Sequence, residues 1–289
     1  MPTVVIFGAN GQDGHYLGEL YSQRGWHVVG VSRSGPIAAD VGAFDDVDAL
    51  VRQHRPDVIY QLAATSSTRH DVMFENHRTI GTGALNVLEA VHRSGRRCKV
   101  LLAGSGLQFE NTGAPISEST PFAPTSSYAV ERIHSVYAAR YFRSLGVPAY
   151  VGYLFHHESP LRKPSHVSQR IVQTARRIAG GSAERLEMGD ITVEKEWGFA
   201  GDITRGMMAL VEQDTVFEAA IGTGVARPIE YFLDRVFRSF HMDWRTHTML
   251  REGFKAEYAR LVSDPRTMFG LGWRPETEVD DLVALMLRG

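Results

Sequence analysis

Cysteine is nearly absent: Cys98 is the single one in 289 residues. That excludes an internal disulfide framework and a cysteine-rich zinc site, and it fits a reducing compartment. Neither charge is in surplus, with 31 Lys and Arg against 33 Asp and Glu for a net −2. The balance therefore points to no polyanionic partner such as nucleic acid. No apolar run approaches the ~18 residues of a membrane span. The opening Met1–Phe7 lacks the basic stretch and small-residue cleavage site of a signal peptide, so a cytoplasmic, non-membrane protein is the expectation. There is no internal repeat and no low-complexity segment. With 43% hydrophobic and 22% charged residues, the chain can bury the core of one large domain or two modest ones.

Strand and helix patterns alternate through the first half. Thr3–Phe7 is a β-branched run broken by glycines, and residues 15–24 carry Tyr16, Leu17, Leu20 and Tyr21 on one helical face up to Gly25. Strands are predicted at 27–31, 58–62, 99–103 and 148–154, and helices at 46–54, 73–94 and 127–145. This βαβ rhythm predicts an α/β fold with a Rossmann-type, doubly wound parallel sheet over 1–155. Beyond Phe155 a Pro-rich connection (158–168) and a helix at 168–179 lead into an irregular second half. That half, 156–289, is expected to be mainly a smaller C-terminal substrate lobe, with a stretch near 197–224 returning to the sheet.

Gly8-Ala9-Asn10-Gly11-Gln12-Asp13-Gly14 follows the first strand and opens a helix. Glycines here permit a tight turn and let a pyrophosphate approach the backbone at a helix N-terminus. The end of the second strand selects between cofactors, since a carboxylate holds a ribose 2′-hydroxyl and an arginine accepts a 2′-phosphate. The chain has Ser32-Arg33-Ser34 and no carboxylate before Asp40, which favours NADP, with NAD as the alternative. Asp40 and Val41 then stand where an adenine edge is held, and Leu62, Ala63 and Ala64 are placed to let the cofactor lie against the backbone. His156-His157-Glu158 has no further ligand cluster at metal spacing, so no metal is expected. Among the aromatics Trp197, Phe199, Tyr231, Phe232 and Phe237, core is the default reading. Cys98 starts a buried strand and reads as inert.

Segments along the chain, namely 8–18 (GANGQDGHYLG), 118–130 (ESTPFAPTSSYAV), 154–160 (LFHHESP), 189–202 (GDITVEKEWGFAGD) and 264–275 (DPRTMFGLGWRP), together resemble the extended short-chain dehydrogenase/reductases. Within them they are similar to the GDP-mannose 4,6-dehydratase family. The resemblance implies a nucleotide-sugar substrate, a nicotinamide cofactor and chemistry beginning at carbon 4 of the sugar. It places Tyr128 on the catalytic tyrosine and Ser105 on its hydroxyl partner. A phenol is a useful base near neutrality only where a fixed cation favours the phenolate. The family's lysine for that task is Arg132 here, one helical turn from Tyr128. The glutamate that the dehydratases place two residues after the Ser/Thr, to take the carbon 5 proton, is Leu107 here; Glu110 is the nearest alternative.

The resemblance further implies that His157 touches the cofactor and that Ser66, Val167, Arg170 and Glu257 touch the substrate. His156 replaces a family asparagine, and Lys195 and Lys255 stand where arginines face the diphosphate and nucleotide end. The resulting expectation is an NADP-dependent carbon 4 ketoreductase or dehydrogenase acting on a GDP-hexose or GDP-heptose. The alternatives are a 4,6-dehydratase with a non-standard base and a non-catalytic binder of NADP or nucleotide sugar. A homodimer packed through the helices near 73–94 and 127–145 is expected.

Overall fold

In the computed structural model, which describes residues 1–288, the apolar runs of the first half become strands, the central ones buried on both faces. They are β1 Thr3–Phe7, β2 His27–Ser32, β3 Ile37–Ala38, β4 Val58–Gln61, β5 Lys99–Ser105 and β6 Ala149–Leu154. Short β7 His157–Glu158, β8 Leu186–Met188, β9 Glu194–Glu196 and β10 Gly198–Phe199 precede β11 Glu218–Ile221, and β12 Ala226–Pro228, β13 Thr248–Leu250 and β14 Arg260–Leu261 follow it. The main sheet has seven parallel strands in the order β3-β2-β1-β4-β5-β6-β11. Chain order diverges from β1 in both directions, so the crevice outside the carboxyl ends of β1 and β4 is the switch point at which such sheets bind ligands.

The helices are α1 Gln12–Gln23, α2 Phe44–His54, α3 Met73–Asn76, α4 Gly83–Ser94, α5 Ser127–Ser144, α6 Val167–Ala179, α7 Ala200–Glu212, α8 Ile229–Arg238, α9 Trp244–His247, α10 Arg266–Gly270 and α11 Val279–Arg288. Alternation along each strand divides the core. Val5, Phe7, Ile59 and Val100 pack against Val47, Leu88 and Val136 of α2, α4 and α5. Val4, Ile6, Tyr60 and Leu101 pack against Leu17 and Tyr21 of α1 and Ile203 and Met207 of α7. A third core, in the C-terminal lobe, joins α6, α8 and α11 around Trp197, Phe232 and Phe237. No helix among the described residues is long and apolar enough to cross a membrane.

Two features depart from the periodicity. The helix expected over 73–94 is interrupted at His77–Thr82 by a π-helical segment. There the Gln61 amide, at the end of β4, donates to the Thr79 carbonyl at 2.8 Å. Gly83 lets that amide come close, since a Cβ there would lie 2.8 Å from Gln61 Nε2. A π-turn spends one extra residue without altering the apolar pattern on either side, so spacing alone hides it. The second feature is Glu196, fully buried on β9. Its carboxylate accepts from the Ser263 hydroxyl at 2.6 Å, from Gly224 N–H at 3.3 Å and from the Thr223 hydroxyl at 3.2 Å, fastening the lobe to the loop after β11.

Candidate active site

The turn after β1 is built by the absence of side chains. Gly8 has φ +88°, and a Cβ on it would lie 2.8 Å from Ala63 N, so β1 and the end of β4 meet backbone to backbone. A Cβ on Gly14 would fall 2.5 Å from the Gly8 carbonyl oxygen, which lets α1 start directly on the turn. Gly11 caps α1 with no side chain, so the first amides of that helix face outward with its positive dipole end. Leu62 lines the cleft described below, and Ala63 and Ala64 continue the chain beside it.

Gln12 and Asp13 tie this turn to β7. The Gln12 amide donates to the His157 carbonyl at 3.2 Å and accepts from the Ser159 hydroxyl at 2.9 Å. His157 Nδ1 lies 2.7 Å from the Phe155 carbonyl and Nε2 lies 2.9 Å from the Asp13 carboxylate. Both partners are acceptors, so the ring satisfies them together only as imidazolium. Burial alone would push His157 down, yet the Asp13 charge and hydrogen bond outweigh it and hold it above its ordinary value.

On the adenine side, Arg33 is exposed and donates to Glu75 at 2.6 Å. Asn10 donates to the Ser34 hydroxyl at 3.3 Å. The Asp40 carboxylate accepts from Gly42 N–H at 2.8 Å and pairs with Arg78. The Val41 side chain is buried in the core.

Across the ends of β4, β5 and β6 lies a cavity of ≈ 470 Å³. It is lined by Asp13, Leu62, Ser66, Ser105, Leu107, Tyr128, Arg132, His156, His157, Glu158, Val167, Lys195 and Glu257, among others. Ser105 ends β5 and its oxygen accepts from Leu107 N–H at 3.2 Å, which leaves its own proton free to donate. Tyr128 enters from the first turn of α5, which Ser126 caps. One turn later the Arg132 guanidinium stacks 5.0 Å from the Tyr128 ring centroid and donates to the Ala103 carbonyl, binding α5 to β5. Its buried Nε has no partner. Leu107 presents hydrocarbon to the same space, whereas Glu110 is exposed and outside the lining.

The opposite end is electrostatic. Glu158 is buried and accepts from the Ser168 hydroxyl at 2.7 Å, with Arg162 Nε at 3.3 Å and Lys195 Nζ at 3.6 Å. Burial would raise Glu158, but Lys195, Arg162 and the Ser168 hydroxyl hold it below the usual carboxylate range. Two cations thus share one buried anion, a local surplus of positive charge. The neighbouring histidines register it. Burial together with Arg162 and Lys195 draws His166 down to about 4, and burial with the same two cations draws His156 well below its ordinary value. His156 Nε2 lies 3.1 Å from the Tyr258 hydroxyl, and its buried Nδ1 has no partner. The three side chains of His156-His157-Glu158 therefore diverge to Tyr258, Asp13 and the Lys195–Arg162 pair.

Trp197 stacks on Phe232 at 4.3 Å inside the lobe and sets its ring 4.4 Å from Lys195 Nζ. It supports the site from behind. Two expected substrate contacts lie outside the lining: Arg170 is exposed and donates to the Glu187 carbonyl at 2.6 Å, and Lys255 is exposed on the loop before β14. The cleft also contains residues that the sequence reading did not single out, notably Arg162, His166 and Tyr258. Arg162 stands four residues after Glu158, a spacing that would have drawn attention on a helix but not in a Pro-rich loop.

The model of the family described as GDP-mannose 4,6 dehydratase matches residues 36–286. A GDP-mannose 4,6 dehydratase 1 of Arabidopsis thaliana is 30% identical over 317 residues, covering 98% of this chain and 88% of that protein. The GDP-mannose 4,6-dehydratase of Sinorhizobium fredii (strain HH103) is 31% identical over 342 residues, 99% of this chain and 95% of that one. Among solved structures, the UDP-glucose 4-epimerase of Thermus thermophilus in complex with NAD has a TM-score of 0.85 at 20% identity, covering 99% of both chains. RMD from Pseudomonas aeruginosa complexed with NADPH has a TM-score of 0.85 at 21% identity, covering 100% of this chain and 98% of that one. These structural likenesses match the doubly wound sheet described above.

Proposed function

The chain belongs to the GDP-mannose 4,6-dehydratase family of short-chain dehydrogenase/reductases, and from that premise we propose that it is an NADP-dependent oxidoreductase acting at carbon 4 of a GDP-linked hexose or heptose, without loss of water. The observation that carries this reading is the composition of the cleft: Ser105, Tyr128 and Leu107 line it together, and Leu107 is the residue that the resemblance sets in place of the dehydratases' proton-abstracting glutamate. The chain's own residues fit a dinucleotide. The Gly8–Gly14 turn packs β1, the end of β4 and the start of α1 backbone to backbone, which leaves the uncapped N-terminus of α1 to face a pyrophosphate, and the orphan Nε of Arg132 is a donor for a ribose hydroxyl. When bound, the nicotinamide supplies hydride exchange with the sugar carbon.

Tyr128 passes a proton to or from the oxygen on carbon 4, and Ser105 donates a hydrogen bond to that oxygen. Arg132 fixes the Tyr128 ring and anchors α5 to β5. Lys195 and Arg162 receive the diphosphate, whose charge offsets their surplus over Glu158. Arg33 exchanges Glu75 for the 2′-phosphate, and Asp40 with the Val41 backbone borders the adenine. The lobe built mainly from 156–289 carries the substrate. An exposed apolar stripe, Val130, Tyr137 and Tyr141 on α5 with Leu85 of α4 and Phe74 of α3, supports a homodimer through these helices.

A second reading, 4,6-dehydration, needs another base. Glu110 lies outside the cleft, but Glu257 lines it, where its carboxylate accepts from the Thr68 hydroxyl. The test is a reaction with NADPH deuterated on its transferable position and a 4-keto GDP-sugar. Deuterium recovered at sugar carbon 4, and lost in Tyr128→Phe, is expected. Turnover by Tyr128→Phe equal to that of the parent protein would refute the mechanism. Cofactor binding with no turnover on any 4-keto or 4-hydroxy GDP-sugar would establish a binding protein instead.

A further inference from the structure

A second cavity of ≈ 610 Å³ abuts the cleft. The two share Thr68, Leu107, Glu257, Tyr258 and Leu261 as lining, so they meet along the Leu107 side chain. Gly106 and Ser126, sequence neighbours of the hydroxyl-bearing Ser105 and of the Tyr128 helix start, lie on the second cavity's wall. A group held between Ser105 and Tyr128 therefore has two ways onward, towards Lys195 and Arg162 or past Leu107.

The two directions differ in chemistry. The Lys195 end holds two cations on one carboxylate. The second cavity offers Thr112, Thr125, Ser126 and Tyr258, with the Glu257 carboxylate at the mouth it shares with the cleft; the Asn111 amide on its wall is engaged by the Arg260 carbonyl and Gly113 N–H. Its guanidinium, Arg260, is already paired with Glu194 at 3.0 Å and donates to the Gly113 carbonyl at 3.1 Å. Hydroxyl groups and a carboxylate beside an aromatic ring hold a polyol and repel a phosphate. Leu107 adds no second charge beside Glu257 in the passage.

We infer that the second cavity receives the part of the sugar lying beyond the reacting carbon, and that the preferred substrate carries an extended polyhydroxyl chain there: a seven-carbon GDP-sugar rather than a hexose. This rests on the nucleotide-sugar reading above. The test is calorimetric titration of the full chain, saturated with NADPH, with GDP, GDP-mannose and a GDP-linked manno-heptose. The heptose is expected to bind about tenfold more tightly than GDP-mannose, in line with what one added pocket group contributes. Thr112→Trp, which fills the second cavity, should erase that difference and leave GDP and GDP-mannose within about twofold of the parent.

Equal affinities of the two sugars in the parent protein would overturn the inference without any variant. So would a Thr112→Trp protein that weakens GDP as much as the heptose, because the nucleotide would then occupy the cavity. Absence of GDP binding would instead remove the nucleotide-sugar reading itself, and this inference with it.

Discussion

The glycine turn and the Lys195 end of the cleft are both shaped for an anion, but they are made of different materials. The turn uses backbone: Gly8 at φ +88°, a cradle with no Cβ, and the open amides of α1. Its own carboxylate, Asp13, is neutralised by His157. The other end uses side chains, buried Lys195 and half-buried Arg162 against buried Glu158, whose carboxylate offsets the cost of burying the Lys195 charge. A backbone site is fixed once the strand and helix form. A side-chain site is adjustable residue by residue.

The largest expected effect is on the backbone site. Gly14→Val must place atoms 2.5 Å from the Gly8 oxygen and is expected to weaken NADPH binding by about 100-fold or more, read by fluorescence titration. GDP affinity should change little; equal losses of both ligands would show that the two sites are not separable. Lys195→Met breaks the other region and leaves Glu158 with Arg162. GDP affinity should fall by about 10- to 100-fold with NADPH binding retained, the usual scale for a buried charged contact.

A control far from both sites sharpens the contrast. Burial would raise Glu218, but hydrogen bonds from Arg140, Tyr153 and Arg143 bring it down to about 2. Its pairing stabilises the fold fully above pH 4.5, the unfolded value, and that contribution is lost as pH falls from 4.5 to about 2. Glu218→Gln should therefore lower stability near neutrality by about 1–2 kcal/mol after allowance for solvent screening. It should flatten the acid limb of a denaturation series; an unchanged acid limb would contradict the assignment.

Arg33→Ala should shift preference from NADPH towards NADH by about tenfold, measured from the ratio of dissociation constants. No shift would return Arg33 to its pairing with Glu75. The smallest effect is linkage. An anion beside His166, drawn down to about 4, should raise its proton affinity, so GDP should bind about threefold more tightly at pH 5 than at pH 7. Invariance, or weakening at pH 5, would show that the anion sits elsewhere.

The same contrast explains what could be read from the sequence. Gly8, Gly11 and Gly14 stand out because the turn and its helix are contiguous, and β1, β2, β4, β5 and β6 announce themselves by apolar runs, whereas the two-residue β3 is too short to do so. Ser105, Tyr128 and Arg132 were legible through the resemblance, and the fold brings all three to one cavity. The π-turn at 77–82 was hidden because a one-residue insertion preserves the flanking pattern. Arg162 and Tyr258 were hidden because their meaning comes from Glu158 and His156, partners supplied by the fold. Arg170 and Lys255 carry the expected charge at the expected places in the chain, yet their side chains lie outside the cleft, since local sequence does not set direction in irregular segments.

Redox chemistry at carbon 4 without dehydration is tested most directly by a mass-resolved incubation of the purified protein. The protein is given NADPH with either GDP-mannose or its 4-keto-6-deoxy derivative, and absorbance at 340 nm is followed alongside product mass. Steady NADPH oxidation is expected with the keto sugar, matched by a product two hydrogens heavier, and no loss of water from GDP-mannose. An 18 Da loss from GDP-mannose with no net NADPH consumption would contradict it and direct attention to Glu257 as the base.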